Sequence, residues 1–440
     1  MPKKNICQTV SALFFPLSFT AFMFFCIPGM ERVDSAYKAV FICALYAVMT
    51  ACVPIYFTVR KKLCDPVAVF FIGSAVTIAM CIRLALMDHV STDYAVYLDI
   101  WTDAMREQKG LGGLALNVSD YNMPYLYFLE AIAKLVPEHL AMYITKTVSV
   151  AFEFVLAYFI MQLVGLVKND LRTKYLVFCG VLLVPTFILD GAYWCQCDMI
   201  YGAFAAGFVN YALSGRPNLS ALFFGLAISF KLQAIFAAPM ILVFLFVKKL
   251  KIKHLLWIPA VYLALLVPAV IAGKPIIEAL TVYLHQAAEY PVLLINAPSI
   301  YQFVHDVDYN SFKTAGIILS GCAAAVFLFF LFKNRETLGT GSLLFAAFVF
   351  ALGLPLLLPC MHERYFFLVD VFCIVIPFIN RKLWYIPLCC FYVSFRSYSD
   401  FLLMSDNINF KFLTLINIGV LIIAVYTLWY MLSPKPAKTV

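Results

Sequence analysis

Residues 139–167 read HLAMYITKTVSVAFEFVLAYFIMQLVGLV, and the residues just ahead of them, 122–137, read NMPYLYFLEAIAKLVP. The first run is long enough to cross a bilayer, which takes about 20 apolar residues in a helix. The second is shorter and carries Pro124, Glu130 and Lys134. Its reading decides the topology, because counting it as a span would reverse every later loop. Lys168, Arg172 and Lys174 would then fall outside, against the preference of Lys and Arg for cytoplasmic loops. Segment 122–137 is therefore expected to lie along the outer membrane surface or to enter it part way.

Further apolar segments run at 9–29, 37–58, 66–87, 175–190, 199–213, 219–231, 234–247, 254–272, 313–332, 341–359, 365–379, 383–398 and 410–431. Several are short for a ~30 Å hydrocarbon layer, so some must tilt, stop at midplane or lie against neighbours. The composition agrees: 64% hydrophobic and 13% charged, with a mean hydropathy of +0.92. Soluble domains carry roughly 25% charged residues. The apolar runs are continuous rather than alternating, which excludes a β-barrel. The expectation is an all-α polytopic membrane protein with about twelve to fourteen transmembrane helices.

The net charge of +8 follows from topology rather than from nucleic acid. Lys3/Lys4, Arg60/Lys61/Lys62, Lys168/Arg172/Lys174, Arg216, Lys248/Lys249/Lys251/Lys253, Lys333/Arg335, Arg381/Lys382 and Lys435/Lys438 fall in loops that alternate correctly with the spans. Only Asp65, Asp170 and Glu336 oppose them there. Those loops, and both termini, are expected on the cytoplasmic side. The first span is expected to stay as an anchor, since no small-residue cleavage site closes it. The fourteen cysteines sit mostly in apolar runs, Cys26, Cys43, Cys52, Cys81, Cys179 and Cys373 among them, and lack zinc-like spacing. Neither a P-loop nor a dinucleotide-binding glycine motif is present.

Two long loops, 88–138 and 273–312, remain for the outer face, and long loops in compact proteins carry function. In the first, Tyr94, Tyr97, Leu98, Trp101 and Met105 are expected on one side of an amphipathic juxtamembrane helix, with Asp99, Asp103, Arg106 and Glu107 opposite. In the second, Ile276, Ile277, Leu280, Tyr283, Leu284 and Ala287 face away from Glu278, Thr281, His285 and Glu289.

Five polar constellations gather at the outer ends of spans. Asp93, in STDY, reads either as the cap of a helix starting near Tyr94 or as a general base with aromatic neighbours. Asp120, with Tyr121 and Asn122, either caps the helix whose first turn holds Pro124 or lines the same cavity as Asp93. Asp190, Gln196 and Asp198 crowd one tight turn, DGAYWCQCD, as a surface turn or as a polar cavity wall. Lys231 and Gln233, in FKLQ, sit near or below the boundary, where a cation either snorkels outward or has work to do. His362, Glu363 and Arg364 close a span as a plain charge cluster or as phosphate donors. HER is not HExxH, so zinc hydrolysis is not indicated.

Taken in order, STDYAVYLDIW, GGLALNVSDYNMPYLYFL, DGAYWCQCDMIYGAF, GLAISFKLQAIF and MHERYFFLVDVF resemble the bacterial membrane proteins related to the GPI second-mannose transferase. Those proteins belong to the GT-C superfamily of polyprenyl-phosphate-sugar-dependent glycosyltransferases. The likeness runs from about residue 70 to 400; each motif is weak alone, and their shared order gives them weight. It implies a GT-C-like fold in which Asp93 is the essential carboxylate of the first outer loop and, as general base, removes the proton from an acceptor hydroxyl. It implies that Lys231, His362 and Arg364 meet the donor phosphate. Asp120, Tyr121, Asn122, Asp190, Gln196, Asp198 and Gln233 would bind substrate. The family commonly has glycine where Cys195 stands, a departure that bears on this turn. No cofactor and no metal are expected, a divalent ion between Asp93 and Asp198 being the exception left open.

The expected organisation is an N-terminal hairpin over 1–65, a catalytic membrane module over 66–272 and a C-terminal bundle over 273–440. The expected function is transfer of a hexose, mannose as the first guess, from a polyprenyl-phosphate donor to a glycan, lipid or protein acceptor. The active site would face away from the cytoplasm of a bacterial cell. Partners are then the lipid-linked sugar, the acceptor and membrane lipids, and no nucleic acid. A flippase of lipid-linked sugar is the alternative, and a polysaccharide polymerase a third. A transporter should place its charges at midplane and serve both faces, whereas these crowd one.

Overall fold

The computed structural model describes residues 36–286, 291–304, 307–405 and 407–433, together with Phe14, Pro16, Ser18 and Phe19. Most of the apolar run 9–29, the pairs Lys3/Lys4 and Lys435/Lys438, and Cys26, Ala287 and Glu289 lie outside the described residues. The chain is an all-α, multi-pass membrane protein. Among the described residues, seven helices are long and apolar enough to cross a bilayer: Ile42–Arg60, Pro66–Leu86, Glu138–Gly165, Ile252–Ile271, Tyr309–Lys333, Thr340–Leu357 and Phe410–Leu432. Leu171–Val181 and Pro185–Tyr193, bent by 46°, make an eighth if taken as one span.

That is fewer than the apolar runs suggest. Runs 199–213, 219–231, 234–247 and 365–379 build helices of 16 residues or fewer instead of full spans. Such segments are tolerated where protein surrounds them and satisfies the backbone ends. Hydropathy alone cannot separate an apolar helix facing lipid from one facing protein.

The described chain divides into two compact units. The first holds the residues up to Ser119, Met123–Ile200 and Pro268–Pro275. Its helices are α1 (Ala36–Ile55), α2 (Pro66–Leu86), α3 (Asp99–Glu107), α4 (Met123–Leu135), α5 (Glu138–Gly165) and α6 (Leu171–Val181). Starts are set by side-chain caps: Asp65 accepts from Val67 N at 3.0 Å ahead of Pro66, and Asp170 accepts from Thr173 N at 2.7 Å. α4 falls within segment 122–137, and it is not among the spans. Eight of its thirteen residues are buried, so it is packed within the unit rather than merely resting on its surface.

α3 is amphipathic, with Trp101, Thr102 and Met105 buried. Tyr97, expected on that face, instead stands 41% exposed. A π-helical turn over Tyr94–Leu98 precedes α3 and widens the residue spacing, so Tyr94 and Leu98 point inward and Tyr97 does not.

The second unit holds Asp120–Asn122, Tyr201–Val267 and the described residues from Ile276 on. It comprises most of α7 (Asp198–Leu213), then α8 (Pro217–Phe230), α9 (Pro239–Phe246), α10 (Trp257–Ile271) up to Val267, α11 (Ile276–Gln286), α12 (Tyr309–Lys333), α13 (Thr340–Leu357), α14 (Phe367–Cys373), α15 (Tyr385–Leu402) and α16 (Phe410–Leu432). α13 is its centre, 72% buried over its apolar window, against 17% for the span ending in α10 and 17% for α12. Two short strands, β1 (Leu294–Ile295) and β2 (Met361–His362), pair in parallel with Ile295 opposite His362. On α11, Ala279 and Val282 are buried while Ile276, Ile277, Leu280 and Leu284 are exposed, leaving the expected apolar stripe outward.

Candidate functional site

In the first unit, chemistry gathers where α2 ends. Ser91 accepts from Tyr94 N at 3.2 Å and so caps the helix, while its own hydroxyl donates to Trp194 O at 2.6 Å. Asp93 makes no capping hydrogen bond, which corrects the capping reading of that residue. Its carboxylate oxygen Oδ2 accepts from the Trp194 indole at 3.0 Å and from the Gln196 side-chain amide. The carboxylate is only partly buried, so it is oriented yet reachable.

Those donors come from the DGAYWCQCD turn. A π-helical turn over Leu189–Tyr193 is closed by Trp194 N donating to Leu189 O at 2.8 Å, and Gln196 N donates to Asp190 O at 2.9 Å. Between them Cys195 takes a φ of +70°, the left-handed region that favours glycine. Burial pushes the Cys195 thiol up to about 12, so it is no nucleophile at neutral pH. Asp190 and Asp198, at the two ends of DGAYWCQCD, are both buried.

The turn is braced by α5. Lys146, Ser149 and Glu153 share one helical face and are buried. Lys146 Nζ donates to Met87 O at 2.8 Å and His89 O at 2.6 Å, holding the segment that leads to Asp93. Ser149 donates to Gln196 O at 2.6 Å. Glu153 pairs with Arg83, whose guanidinium also donates to Leu182 O at 2.8 Å. A Cβ on Gly191 would sit 2.7 Å from Glu153 Oε1, so the turn passes the ion pair only because residue 191 is glycine. His89 stacks on Tyr193, 3.7 Å between ring centres, and burial with the nearby Lys146 charge holds its pKa below the ordinary value. Sequence reasoning missed this brace. Its signal was three polar residues at helical spacing inside an apolar run.

In the second unit the cations collect. α8 stops at Phe230, and Lys231 is extended (φ −151°, ψ 134°) before a 3-10 turn over Leu232–Ala237. Lys231 is buried at this break, its Nζ 5.5 Å from the centre of the Tyr121 ring. Asn122 donates to Ser229 O at 2.9 Å, tying Asp120–Asn122 to the end of α8. Since α4 begins at Met123, Asp120 stands ahead of its first turn. Gln233 bonds the Tyr365 hydroxyl.

His362 closes β2, and Cys360 N donates to Leu293 O at 2.7 Å just before that strand. Two-residue strands leave no periodicity to read, so this tie between loop 273–312 and MHER was invisible in sequence. Burial, then the charges of Arg364 and Lys231, push His362 down to about 3. It is therefore a neutral imidazole at neutral pH. Arg364 lies 3.7 Å from Glu363, both largely buried. The charges of Arg364 and Lys231 both act on His362, with Glu363 beside Arg364.

Among the described residues, no three His, Cys, Asp or Glu side chains converge as ligands for a metal ion. No protein-family model matches the chain, and no curated protein matches it.

Proposed function

We propose that the chain is a GT-C-like membrane glycosyltransferase that moves a hexose from a polyprenyl-phosphate donor to an acceptor hydroxyl on the extracytoplasmic side, with inversion. Asp93 accepts the hydroxyl proton as that oxygen bonds to the anomeric carbon. The bond from that carbon to the phosphate oxygen breaks on the opposite face, and the polyprenyl phosphate leaves with the electron pair. Lys231 and Arg364 meet its charge, and neutral His362 donates an N–H. Asp190, Gln196, Asp198, Asp120, Tyr121, Asn122 and Gln233 shape the substrate surroundings. No cofactor is needed for this displacement, and whether a divalent ion assists is read by adding EDTA.

The observation that carries the reading is Asp93: a carboxylate relieved of capping by Ser91 and aimed by an indole and an amide. A helix cap has no use for such an arrangement, whereas a base must be held in place. The test is transfer of labelled mannose from purified polyprenyl-phosphate mannose to an acceptor in liposomes. Asp93→Asn should lower kcat by about 10²–10⁴ with the fold intact. A well-folded wild type that transfers nothing from any polyprenyl-phosphate sugar, yet moves one across the bilayer, would replace the transferase with the flippase.

A further inference from the structure

The second unit carries a cationic cluster that the proposed chemistry does not use. After α9 ends at Phe246 come Lys248, Lys249, Lys251 and Lys253, and the sequence has no acid between Asp198 and Glu278. The chain turns tightly here: Lys249 N and Leu250 N both donate to Phe244 O, at 2.8 and 3.0 Å, and Lys248 has a φ of +57°. Leu250 is buried under the turn, leaving Lys248, Lys251 and Lys253 exposed. His254 is buried as well, and its Nδ1 accepts from Lys251 N at 3.0 Å, which fixes the register of the 3-10 turn leading into α10. Phe246 packs edge to face on Phe332 with ring centres 5.1 Å apart, bringing the end of α12, with Lys333 and Arg335, to the same end of the unit. Arg335 is answered by Glu336 at 3.4 Å.

Large apolar side chains stand among these lysines. Ile252 is 79% exposed, Leu256 70% and Trp257 44%. Lysines alternating with exposed aliphatic residues and a tryptophan suit a membrane interface. There, indole rings sit at headgroup level, aliphatic groups enter the acyl region, and lysine stems reach back to the phosphates. We infer that segment 248–257, with Lys333 at the end of α12, is a docking surface for anionic phospholipid headgroups. A zwitterionic headgroup brings its own cation and gains little from four lysines in a stretch that carries no acid of its own. An anionic one gains about fivefold in local affinity for each lysine near the surface at low salt.

Trp257 supplies the probe. The full chain is reconstituted into vesicles of phosphatidylcholine and phosphatidylglycerol, with one or the other lipid brominated. Trp257 quenching is isolated by subtracting the W257F variant. Brominated phosphatidylglycerol should quench at least about fivefold better per lipid than brominated phosphatidylcholine at low salt. The preference should shrink toward unity near 1 M salt, where screening acts within about 3 Å. The K248Q/K251Q/K253Q variant, which keeps Lys249 and Lys333, should lose most of the preference while quenching by brominated phosphatidylcholine, the control for seating and fold, stays unchanged. Equal quenching by both lipids in the wild type, or a preference undiminished by the triple substitution, overturns the inference. So does displacement by inorganic phosphate beyond that of chloride at equal ionic strength, which would mark an anion pocket.

Discussion

At Cys195 the backbone holds φ at +70°, where a side chain with a Cβ costs roughly 1–2 kcal/mol. Cys195→Gly removes that strain and also a small buried side chain, so stability should stay within about 1 kcal/mol of wild type. Cys195→Val keeps the strain and adds branching in a fully buried place, and should cost about 2 kcal/mol or more. Denaturant titration in detergent compares the two; equal losses would mean that the turn is not held as described. His362 gives a second residue-scale expectation, in pH. Its folded value of about 3 lies below the ordinary 6.5, so between these values the unfolded chain binds the extra proton. This part of the stability is complete above about pH 6.5 and is lost as the pH falls toward 3. Thermal unfolding from pH 7 to 4 should therefore fall less steeply for His362→Asn than for wild type. Parallel curves would count against a neutral buried imidazole.

Among the elements, α3 and α4 lock each other's ends. Arg106 donates to Ala133 O and Val136 O, both at 2.9 Å, at the end of α4, and Lys134 donates to Met105 O and Gln108 O, both at 2.6 Å, at the end of α3. Each cation thus meets the carbonyl end of the other helix, where it is favoured. Arg106→Gln and Lys134→Gln should each cost about 1–2 kcal/mol, and the pair less than their sum because they share one hairpin. Faster amide exchange over 105–122 would report it, and full additivity would argue against a shared lock. How legible these elements were depends on what each signal encodes. The amphipathic α3 and the withdrawal of 122–137 from the spans rest on local patterns, and the sequence carries them plainly. Asp65 and Asp170 read there only as acids among basic loops, and their capping shows in the structure. Tyr97 was misplaced because a π-helical turn changes the period without marking it. Asp93 and Gln196 could be named separately, but their hydrogen bond joins residues about a hundred positions apart. The Ser149 and Lys146 braces are long-range in the same way, so periodicity is blind to them.

For the molecule as a whole, sidedness is the property on which the proposed chemistry depends. In the first unit, α2 is a single span of 21 residues, about 32 Å long, with Arg60, Lys61, Lys62 and Cys64 before it and Asp93 beyond its far end. In the second, α13 starts after Lys333 and Arg335 and ends just ahead of His362 and Arg364. Within each unit, then, the groups proposed for chemistry and the basic loop lie at opposite ends of one span. The proposal that basic loops face the cytoplasm therefore puts Asp93 on the other side. Cys64 is an exposed thiol before α2, and Asn117 is exposed beyond it in the same unit. With Asn117→Cys in otherwise native chains, a membrane-impermeant maleimide applied to intact cells should modify residue 117 and spare Cys64. Inverted membrane vesicles should reverse the pattern, read by mass spectrometry of the two peptides. Modification of Cys64 from outside would turn Asp93 toward the cytoplasm, where an extracytoplasmic acceptor could not reach it. The transferase reading would then have to give up its acceptor, even if Asp93→Asn were inactive.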